Sequence, residues 1–600
     1  MVDLDFLRKP VWLISGLALA AFAVFGSPFL VDYLNSGDQL PPTLQLVDPQ
    51  LFPNDAVVAA MAKLKSGFYL ALAAAMKLFR VSPQQTESVI YTLFVVSKLL
   101  LIAGVFAVCR SLKNSFWLFV VFGAWCCHQK PALMGSVTLF MPIITHNEAA
   151  LVLGLFAVAC LLRGQVVWFW LLAGAMVLVH VILGLQFVLC VVPALLWKQK
   201  PGRNFLIGSA LFAACCVVYL MTMAPPAMSA EEWRLFVSVN GNTAHISLLK
   251  HSWLDWFGFV SVFGLSLMAY DRFLKGDAGF ELLRRAAIAG SAIGLALSAA
   301  AVATQAMKPM LFQPMRIFFW VTLICFLMIA AATVEAFSEV GQVQNLFHQI
   351  KKPSLLAGVL LASVLVLTVL NSILAPLLAF IGLVYFVLER YDFGDTVAFT
   401  TKTILALIVA AIFMAWALGD RQPIASLRSP ALLLPSAICL VVLFFYKPNS
   451  WRPLMALPLI LYCLTMASVY RHEYYQRWLD ADWRAVRLWA QSHTPDSARF
   501  ITPPDQVGFR VLALRTSASE SVPRIVWSAP LAYLENKQAA ERTTKAYANR
   551  STDLATLFEL AREWNCDYVI ARGKHDETVT PLFRAGEFSV LKAPDQYRAR

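Results

Sequence analysis

The sequence predicts an α-helical polytopic membrane protein of about fifteen spans, followed by a small α/β domain. Its 600 residues are 59% hydrophobic and only 14% charged, and its mean hydropathy is +0.65. These values are too apolar for a soluble multidomain protein. Apolar runs long enough to cross roughly 30 Å of hydrocarbon recur up to about residue 470. Such runs must be helical in lipid, because no water satisfies the backbone polar groups there.

The apolar runs divide the first part of the chain into spans and loops. We expect spans at 11–31, 90–109, 115–128, 147–163, 166–181, 183–197, 204–222, 255–270, 286–304, 312–335, 355–371, 373–389, 398–418, 430–446 and 451–470. The shorter run 67–80 ends in Lys77 and Arg80, which favours an interfacial helix over a span. No cleavable signal peptide is expected, since the first span follows Arg8 and Lys9 without a clear small-residue cleavage site.

Basic loops predict the orientation. If the spans alternate, these loops all fall on one side of the membrane, which the positive-inside rule makes cytoplasmic. The basic residues concerned are Arg8, Lys9, Arg110, Lys113, Lys198, Lys200, Arg203, Arg272, Lys275, Arg284, Arg285, Lys351, Lys352, Lys447 and Arg452. The N-terminus is then cytoplasmic. The net charge of +13 fits contact with membrane lipids, and no nucleic-acid partner is expected, because no basic cluster carries interleaved aromatic residues.

Two changes of composition predict the domains. A membrane domain at 1–470 contains a long acidic first external loop at 32–89, and a polar tail at 471–600 reads as an extracytoplasmic α/β domain. Alternating patterns in the tail favour a partly parallel sheet. The predicted tail elements are helices at 482–492 and 554–564 and strands at 498–502, 524–527 and 567–571.

Three acids lie between the first two spans. Asp38, Asp48 and Asp55 belong to the segment NSGDQLPPTLQLVDPQLFPND, whose prolines restrict its conformations. Carboxylates held at a membrane surface can act as a base, bind a metal ion or steer a charged substrate. The alternative is structural, since Asp-Pro and Asn-Asp are common in turns and Asp55 can cap a helix that starts at Ala56. All three are candidate catalytic residues.

A second acidic position follows in the next external loop. The motif Thr145-His146-Asn147-Glu148 stands at the mouth of a span, where a Glu is also a favourable helix-capping residue. Two carboxylates from different loops can share a divalent metal or divide the duties of base and metal ligand. Asp38 and Glu148 are therefore the candidate metal ligands, Glu148 is a candidate catalytic acid, and Mg²⁺ or Mn²⁺ is the candidate cofactor.

Two further residues are candidates for binding the substrate, together with His146. Arg316 begins a span on the external side, against the positive-inside pattern, which indicates a partner. A guanidinium can bind a phosphate group in two-pronged fashion, although snorkelling or pairing with a nearby acid also explains its position. His180 lies in the apolar stretch 166–197, where it marks either a turn or a functional residue.

In this arrangement the chain resembles the GT-C class of membrane glycosyltransferases. The matching features are GDQ and VDPQLFPND after the first span, Glu148 in the next external loop, QPMR at a late span, and an external tail containing HTPDSARFITPPDQVGFR and CDYVIARG. The resemblance implies a polyprenyl-phosphate-linked sugar donor, an acceptor attacked outside the membrane, and an acid of the first loop as base or metal partner. Asp38 would be the base, Asp48 or Asp55 the next choice, Glu148 its partner, and Arg316 the donor-phosphate contact.

The expected function is therefore glycosyl transfer at the outer face of a bacterial inner membrane. A transporter or lipid flippase is the first alternative, and ionisable residues near the midplane would favour it. A non-catalytic assembly protein that kept the fold is the second. The chain lacks an adjacent Asp-Glu pair in the first loop, so the residues leave the choice of catalytic acid open.

Overall fold

The computed structural model describes most of the chain outside 392–479. The described residues are 10–25, 29, 35–127, 130–131, 133–134, 138–140, 144–197, 201–224, 227–240, 243–340, 353–369, 374–391, 480–547, 552–573 and 579–594. Three predicted spans, at 398–418, 430–446 and 451–470, lie outside these residues. Within them, the protein is a multi-pass α-helical membrane protein with a small α/β domain near its C-terminus.

The described membrane domain consists of helices. They are α1 (Pro10–Phe25), α2 (Asn35–Val47), α3 (Ala56–Met61), α4 (Gly67–Leu78), α5 (Thr86–Arg110), α6 (Ser115–Cys126), α7 (His146–Leu162), α8 (Val166–Val179), α9 (Val181–Leu196), α10 (Arg203–Thr222), α11 (Ala230–Asn240), α12 (Trp253–Ala269), α13 (Ala278–Thr304), α14 (Met307–Leu311), α15 (Phe318–Val340), α16 (Pro353–Val369) and α17 (Leu374–Arg390). Each predicted span in the described residues coincides with one of them. Among the residues that the structure describes, five helical stretches are long and apolar enough to cross a membrane.

The helix α13 begins eight residues before its predicted span. Asp277 caps it, because its Oδ1 accepts hydrogen bonds from the amides of Gly279 and Phe280 at 2.8 and 3.1 Å. The first turns carry Glu281, which pairs with Arg284 at 2.9 Å. Charged residues ended the apolar run in the sequence, but i,i+3 pairing lets the helix continue beyond the hydrocarbon.

The acidic segment after α1, which was predicted as a proline-stiffened loop, is largely helical. Helix α2 contains Pro41 and Pro42, which cannot supply the amide hydrogens that a helix normally donates. Burial offsets this loss, since Leu40 and Leu44 are at most 1% exposed in a shared apolar cluster. Packing therefore overrides local propensity here. Helix α4 confirms the helix predicted at 67–80, and its interfacial position stays a prediction.

Helix α15 lies at the centre of the membrane domain. Its apolar window is fully buried inside the protein, and it packs against α12, α13 and α16. Trp320 donates from Nε1 to the carbonyl of Leu183 at 3.1 Å, which joins α15 to the start of α9. The indole also lies against Gly154 of α7, where only a hydrogen atom fits.

Gly154→Ala is expected to destabilise the protein by about 1–3 kcal/mol, because added atoms in a packed core force side chains off their rotamers. A Cβ at this position would stand 2.4 Å from Cη2 of Trp320. Gly16→Ala in α1 is the matched control, since its Cβ would meet nothing closer than 4.0 Å, and it should be neutral or stabilising by up to about 1 kcal/mol. Thermal unfolding in detergent measures both, and equal transition temperatures would contradict the expectation.

The C-terminal domain combines four helices with a five-stranded sheet. The helices are α18 (Ala481–His493), α19 (Phe509–Ala513), α20 (Pro530–Ala546) and α21 (Leu554–Glu563). After a short ladder of β1 (Lys130–Pro131) and β2 (Thr138–Leu139) in the membrane domain, the strands of the sheet are β3 (Arg499–Ile501), β4 (Thr516–Ser517), β5 (Tyr568–Arg572), β6 (Phe583–Ala585) and β7 (Phe588–Lys592). Their order is β4-β3-β5-β7-β6.

The sheet is partly parallel, as predicted. Strand β3 pairs in parallel with β4 and β5, and β7 runs antiparallel to β5 and β6. The predicted strand at 524–527 is wrong, because Pro523–Trp527 forms a 3₁₀ helix. Pro523 removes a ladder donor, and Ile525 is buried in a cluster with Ala60 and Met61 of α3. Contact with the membrane domain decides the conformation of this short apolar run.

Candidate functional site

Two histidines meet where α7 and α9 begin. His146 is the first residue of α7, and His180 caps α9 by accepting the amide of Leu183 on its Nδ1 at 3.4 Å. Their ring centroids are 4.4 Å apart at an interplanar angle of 84°. The Tyr69 ring of α4 lies 5.6 Å from the His146 ring on the other side. Residues far apart in sequence thus form one aromatic and imidazole cluster.

Arg316 lies within electrostatic range of this pair, since it acts on His180. It belongs to the 3₁₀ turn Pro314–Ile317 immediately before α15. Gln186 of α9 holds the preceding segment by donating from Nε2 to the carbonyls of Phe312 and Gln313 at 3.0 and 2.9 Å. The three predicted substrate-binding residues thus lie at the N-terminal ends of α7, α9 and α15, where the two histidines are in contact and Arg316 acts electrostatically on His180.

A buried ion pair stands beside the histidines. Lys98 Nζ lies 3.9 Å from Glu148 Oε2, with side chains only 5% and 4% exposed. Lys98 also lies over the ring of Phe94, 5.3 Å from its centroid. Lys98 lies about 18 Å along α5 from its first residue, at 1.5 Å per residue. The start of α7, which carries Glu148, therefore lies beside the middle of α5 and not beside its end. The capping group of α7 is Thr145, whose hydroxyl accepts the amide of Asn147 at 3.2 Å.

One apolar cluster contains Leu40 of α2, the helix that carries Asp38. Asp38 lies in the first turn of α2, is half-buried, and precedes Leu40 by two residues. Leu40 packs in the same cluster as Phe94 of α5, Ile144 before α7, and Tyr69 of α4. The cluster thus contains residues that are two to four positions from Asp38, Lys98 and His146 in the sequence.

The other two predicted acids have structural contacts. Asp48 is half-buried at the end of α2, where its Oδ1 accepts the amide of Gln50 at 3.0 Å in a turn. Asp55 caps α3 by accepting the amides of Val57 and Val58 at 3.0 and 3.2 Å. Its other oxygen, Oδ2, accepts from Arg510 Nε at 2.8 Å. Both carboxylates therefore have structural roles, Asp48 in a turn and Asp55 as a helix cap, which was the alternative to catalysis. The site proposed below uses Asp38 and Glu148.

Arg510 connects the C-terminal domain to the segment between α1 and α5, which was predicted to be the first external loop. Its guanidinium donates to Asp55, to Glu520 Oε2 at 2.7 Å, and to the carbonyl of Ser517. Burial alone would lower the pKa of Arg510, but the two carboxylates raise it above its ordinary value. From the sequence, Arg510 and Arg515 could line a face over the membrane domain, although exposed arginines in a globular domain are usually solvated. Arg515 is buried as well, and its Nη1 pairs with Asp496 at 2.8 Å.

The cation predicted between Asp38 and Glu148 stays a prediction. Among the described residues, no group of three or more His, Cys, Asp and Glu side chains lies close enough together to hold a metal ion. Glu148 already faces the ammonium group of Lys98. A lysine at this distance supplies positive charge where a divalent cation would otherwise balance the carboxylate.

Comparison with known proteins gives few matches. Residues 481–518 match a domain of unknown function (DUF6798), and no curated protein matches the chain. Two solved structures are similar over both chains from end to end. The apo structure of ArnT from Cupriavidus metallidurans is 14% identical, covers 99% of this chain and 100% of its own, and has a TM-score of 0.41. The structure of the same protein bound to undecaprenyl phosphate is 12% identical, and the match covers 98% of this chain and 99% of that one, with a TM-score of 0.41. Likeness at this level assigns no activity.

Proposed function

We propose that the protein is a membrane glycosyltransferase that takes its sugar from a polyprenyl-phosphate-linked donor at the outer face of the bacterial inner membrane. The observation that carries this proposal is the contact of His146 with His180 at the N-terminal ends of α7 and α9, with Arg316 acting electrostatically on His180 from the turn before α15. Helix N-termini attract anions, and a guanidinium with two imidazoles adds donors suited to a phosphate group. The apolar helices around it suit a polyprenyl chain.

The chemistry needs a base opposite the phosphate. Asp38 would remove the proton from the acceptor hydroxyl as its oxygen bonds to the anomeric carbon of the sugar. The bond between that carbon and the phosphate oxygen breaks, and the phosphate keeps the electron pair. Arg316 and the histidines would stabilise this charge as it develops. Glu148, which lies 3.9 Å from Lys98, would orient the acceptor through a second hydrogen bond.

Chelation tests whether a divalent cation takes part. Because Lys98 provides a fixed positive charge 3.9 Å from Glu148, we expect transfer by the purified protein to persist within about twofold after treatment with EDTA. The assay is repeated after adding back Mg²⁺ or Mn²⁺. Loss of transfer on chelation, with recovery on addition of either ion, would restore the predicted metal site.

The function itself is tested in proteoliposomes. The purified protein is given a polyprenyl-phosphate sugar labelled in the sugar, with membrane lipids and cell-envelope glycolipids as acceptors. The expected result is transfer of label to an acceptor and release of polyprenyl phosphate. A lipid flippase is the competing function, because the buried Lys98–Glu148 pair is an ionisable pair within a span. Movement of labelled lipid between leaflets without any label transfer would favour it and reject the transferase.

A further inference from the structure

Within the described residues, the C-terminal domain contacts the membrane domain at several places, and two of them lie in α19 and the segment that follows it. Val511, Leu512 and Leu514 of this region lie in the apolar cluster that contains Leu40 and Leu44 of α2. Further along the chain, Ile525 packs in a second cluster with residues of α3. These two clusters fall on α2 and α3, of which α2 carries Asp38. Elsewhere, the Trp527 ring lies 5.0 Å from that of Phe236 in α11, and Arg484 pairs with Glu87 of α5 at 2.8 Å.

The charged side chains at the centre of this contact are buried and hydrogen-bonded to one another. The side chains of Arg510 and Asp55 are 3% and 2% exposed, and that of Glu520 is 6% exposed. Arg510 uses three of its nitrogens on three different acceptors. Glu520 is fixed in turn, since its Oε1 accepts the amide of Phe509 at 3.0 Å. A guanidinium bound in this way holds its partners in one geometry, which a flexible ammonium group cannot do.

The backbone around Arg510 supports a constrained role. Helix α19 is flanked by Gly508 and Leu514, both in the left-handed region at φ values of 78° and 53°. Leucine rarely adopts this conformation and does so at an energetic cost. The surrounding contacts must offset that cost, and Leu514 is 1% exposed among residues of the membrane domain.

We infer that residues 508–520 act as a positioning clamp, which fixes α2 and α3 so that Asp38 faces the phosphate-binding cluster. The segment matched as a domain of unknown function, 481–518, contains α18, α19 and Arg510. Docking onto the segment between α1 and α5 is thus the role that the structure gives to this stretch. The effect on catalysis rests on the proposed function, whereas the docking itself does not.

Hydrogen exchange in the full-length protein tests the clamp without an activity assay. Asp55→Asn keeps a good helix cap for α3, because asparagine caps as well as aspartate, but it removes the charge that faces Arg510. Arg510→Met removes the guanidinium with little change of volume. Arg484→Ala is the matched control, since its pair with Glu87 also joins the two domains but is 49% and 39% exposed, and such pairs contribute little.

We expect both clamp variants to speed amide exchange in α2 and α3 at least about tenfold, because removing one partner of a buried ion pair shifts local opening by that factor or more. Exchange in α13 and α15 should stay at the wild-type rate, and Arg484→Ala should match the wild type throughout. Unchanged protection in α2 and α3 of both variants would overturn the clamp. Equal acceleration in every helix would overturn it as well, since Arg510 would then serve general stability.

Kinetics separate positioning from binding. In the clamp variants, kcat should fall at least about tenfold while KM for the lipid-linked donor stays within about twofold, because the proposed phosphate contacts are on α7, α9 and α15. Asp55→Glu, which restores the charge, should recover part of kcat. A rise in KM alone would overturn the positioning role. If the wild type transfers no sugar, the proposed function fails, and the exchange experiment still decides the clamp.

Discussion

Asp38→Asn is expected to reduce sugar transfer at least about 100-fold while the protein remains folded in the membrane. General base catalysis typically contributes 10²–10⁴-fold, and asparagine keeps the shape of the side chain but cannot accept the proton. Asp38 is half-buried in the first turn of α2, where either residue is favourable for a helix start. The loss should therefore fall on kcat and leave the unfolding temperature nearly unchanged.

Asp48→Asn is the matched control for this experiment. Asp48 lies at the other end of the same helix, and its carboxylate accepts the amide of Gln50 in a turn. An asparagine side chain accepts the same hydrogen bond. Transfer should stay within about twofold of the wild type. Normal transfer by Asp38→Asn, or equal losses in the two variants, would remove Asp38 from the mechanism.

The helices of the membrane domain were predictable because lipid imposes a strict rule on the backbone. A long apolar run in hydrocarbon has no alternative to a helix, so α5, α10 and α12 begin and end close to their predicted limits. The same rule does not apply to the segment between α1 and α5, which is not a long apolar run. There, Leu40 and Leu44 decide the structure by packing, and the prolines within α2 pointed to a loop.

The members of the candidate site stand out in the sequence, but their arrangement does not. Arg316, which begins a span on the predicted external side, and His180, which lies between two spans, are each conspicuous because the residues around them are apolar. Their proximity depends on how α7, α9 and α15 pack, which a single sequence does not reveal. Arg510 is less conspicuous, because arginine is common in globular domains. Its partner Asp55 lies 455 positions away in the sequence, so the pairing cannot be predicted from local sequence.

The buried pair of Lys98 and Glu148 gives the second large expected effect. Lys98→Met and Glu148→Gln should each destabilise the protein by about 3 kcal/mol, since each leaves a charge inside the protein with one partner fewer. The double variant should lose clearly less than the sum, because no unbalanced charge then remains from this pair. Equilibrium unfolding in mixed micelles gives the coupling, and additive losses would mean that the 3.9 Å contact contributes nothing.

The same cycle separates the structural role of Glu148 from its proposed role in transfer. If Glu148 only balances Lys98, the double variant should recover sugar transfer together with stability. We expect stability to return and transfer to remain at least about tenfold below the wild type, because a glutamine cannot orient the acceptor as a charged carboxylate does. Phe94→Leu is a control within the same contact, since it removes only the ring beneath Lys98 and should cost about 1 kcal/mol. Full recovery of transfer in the double variant would leave Asp38 as the single acid of the site.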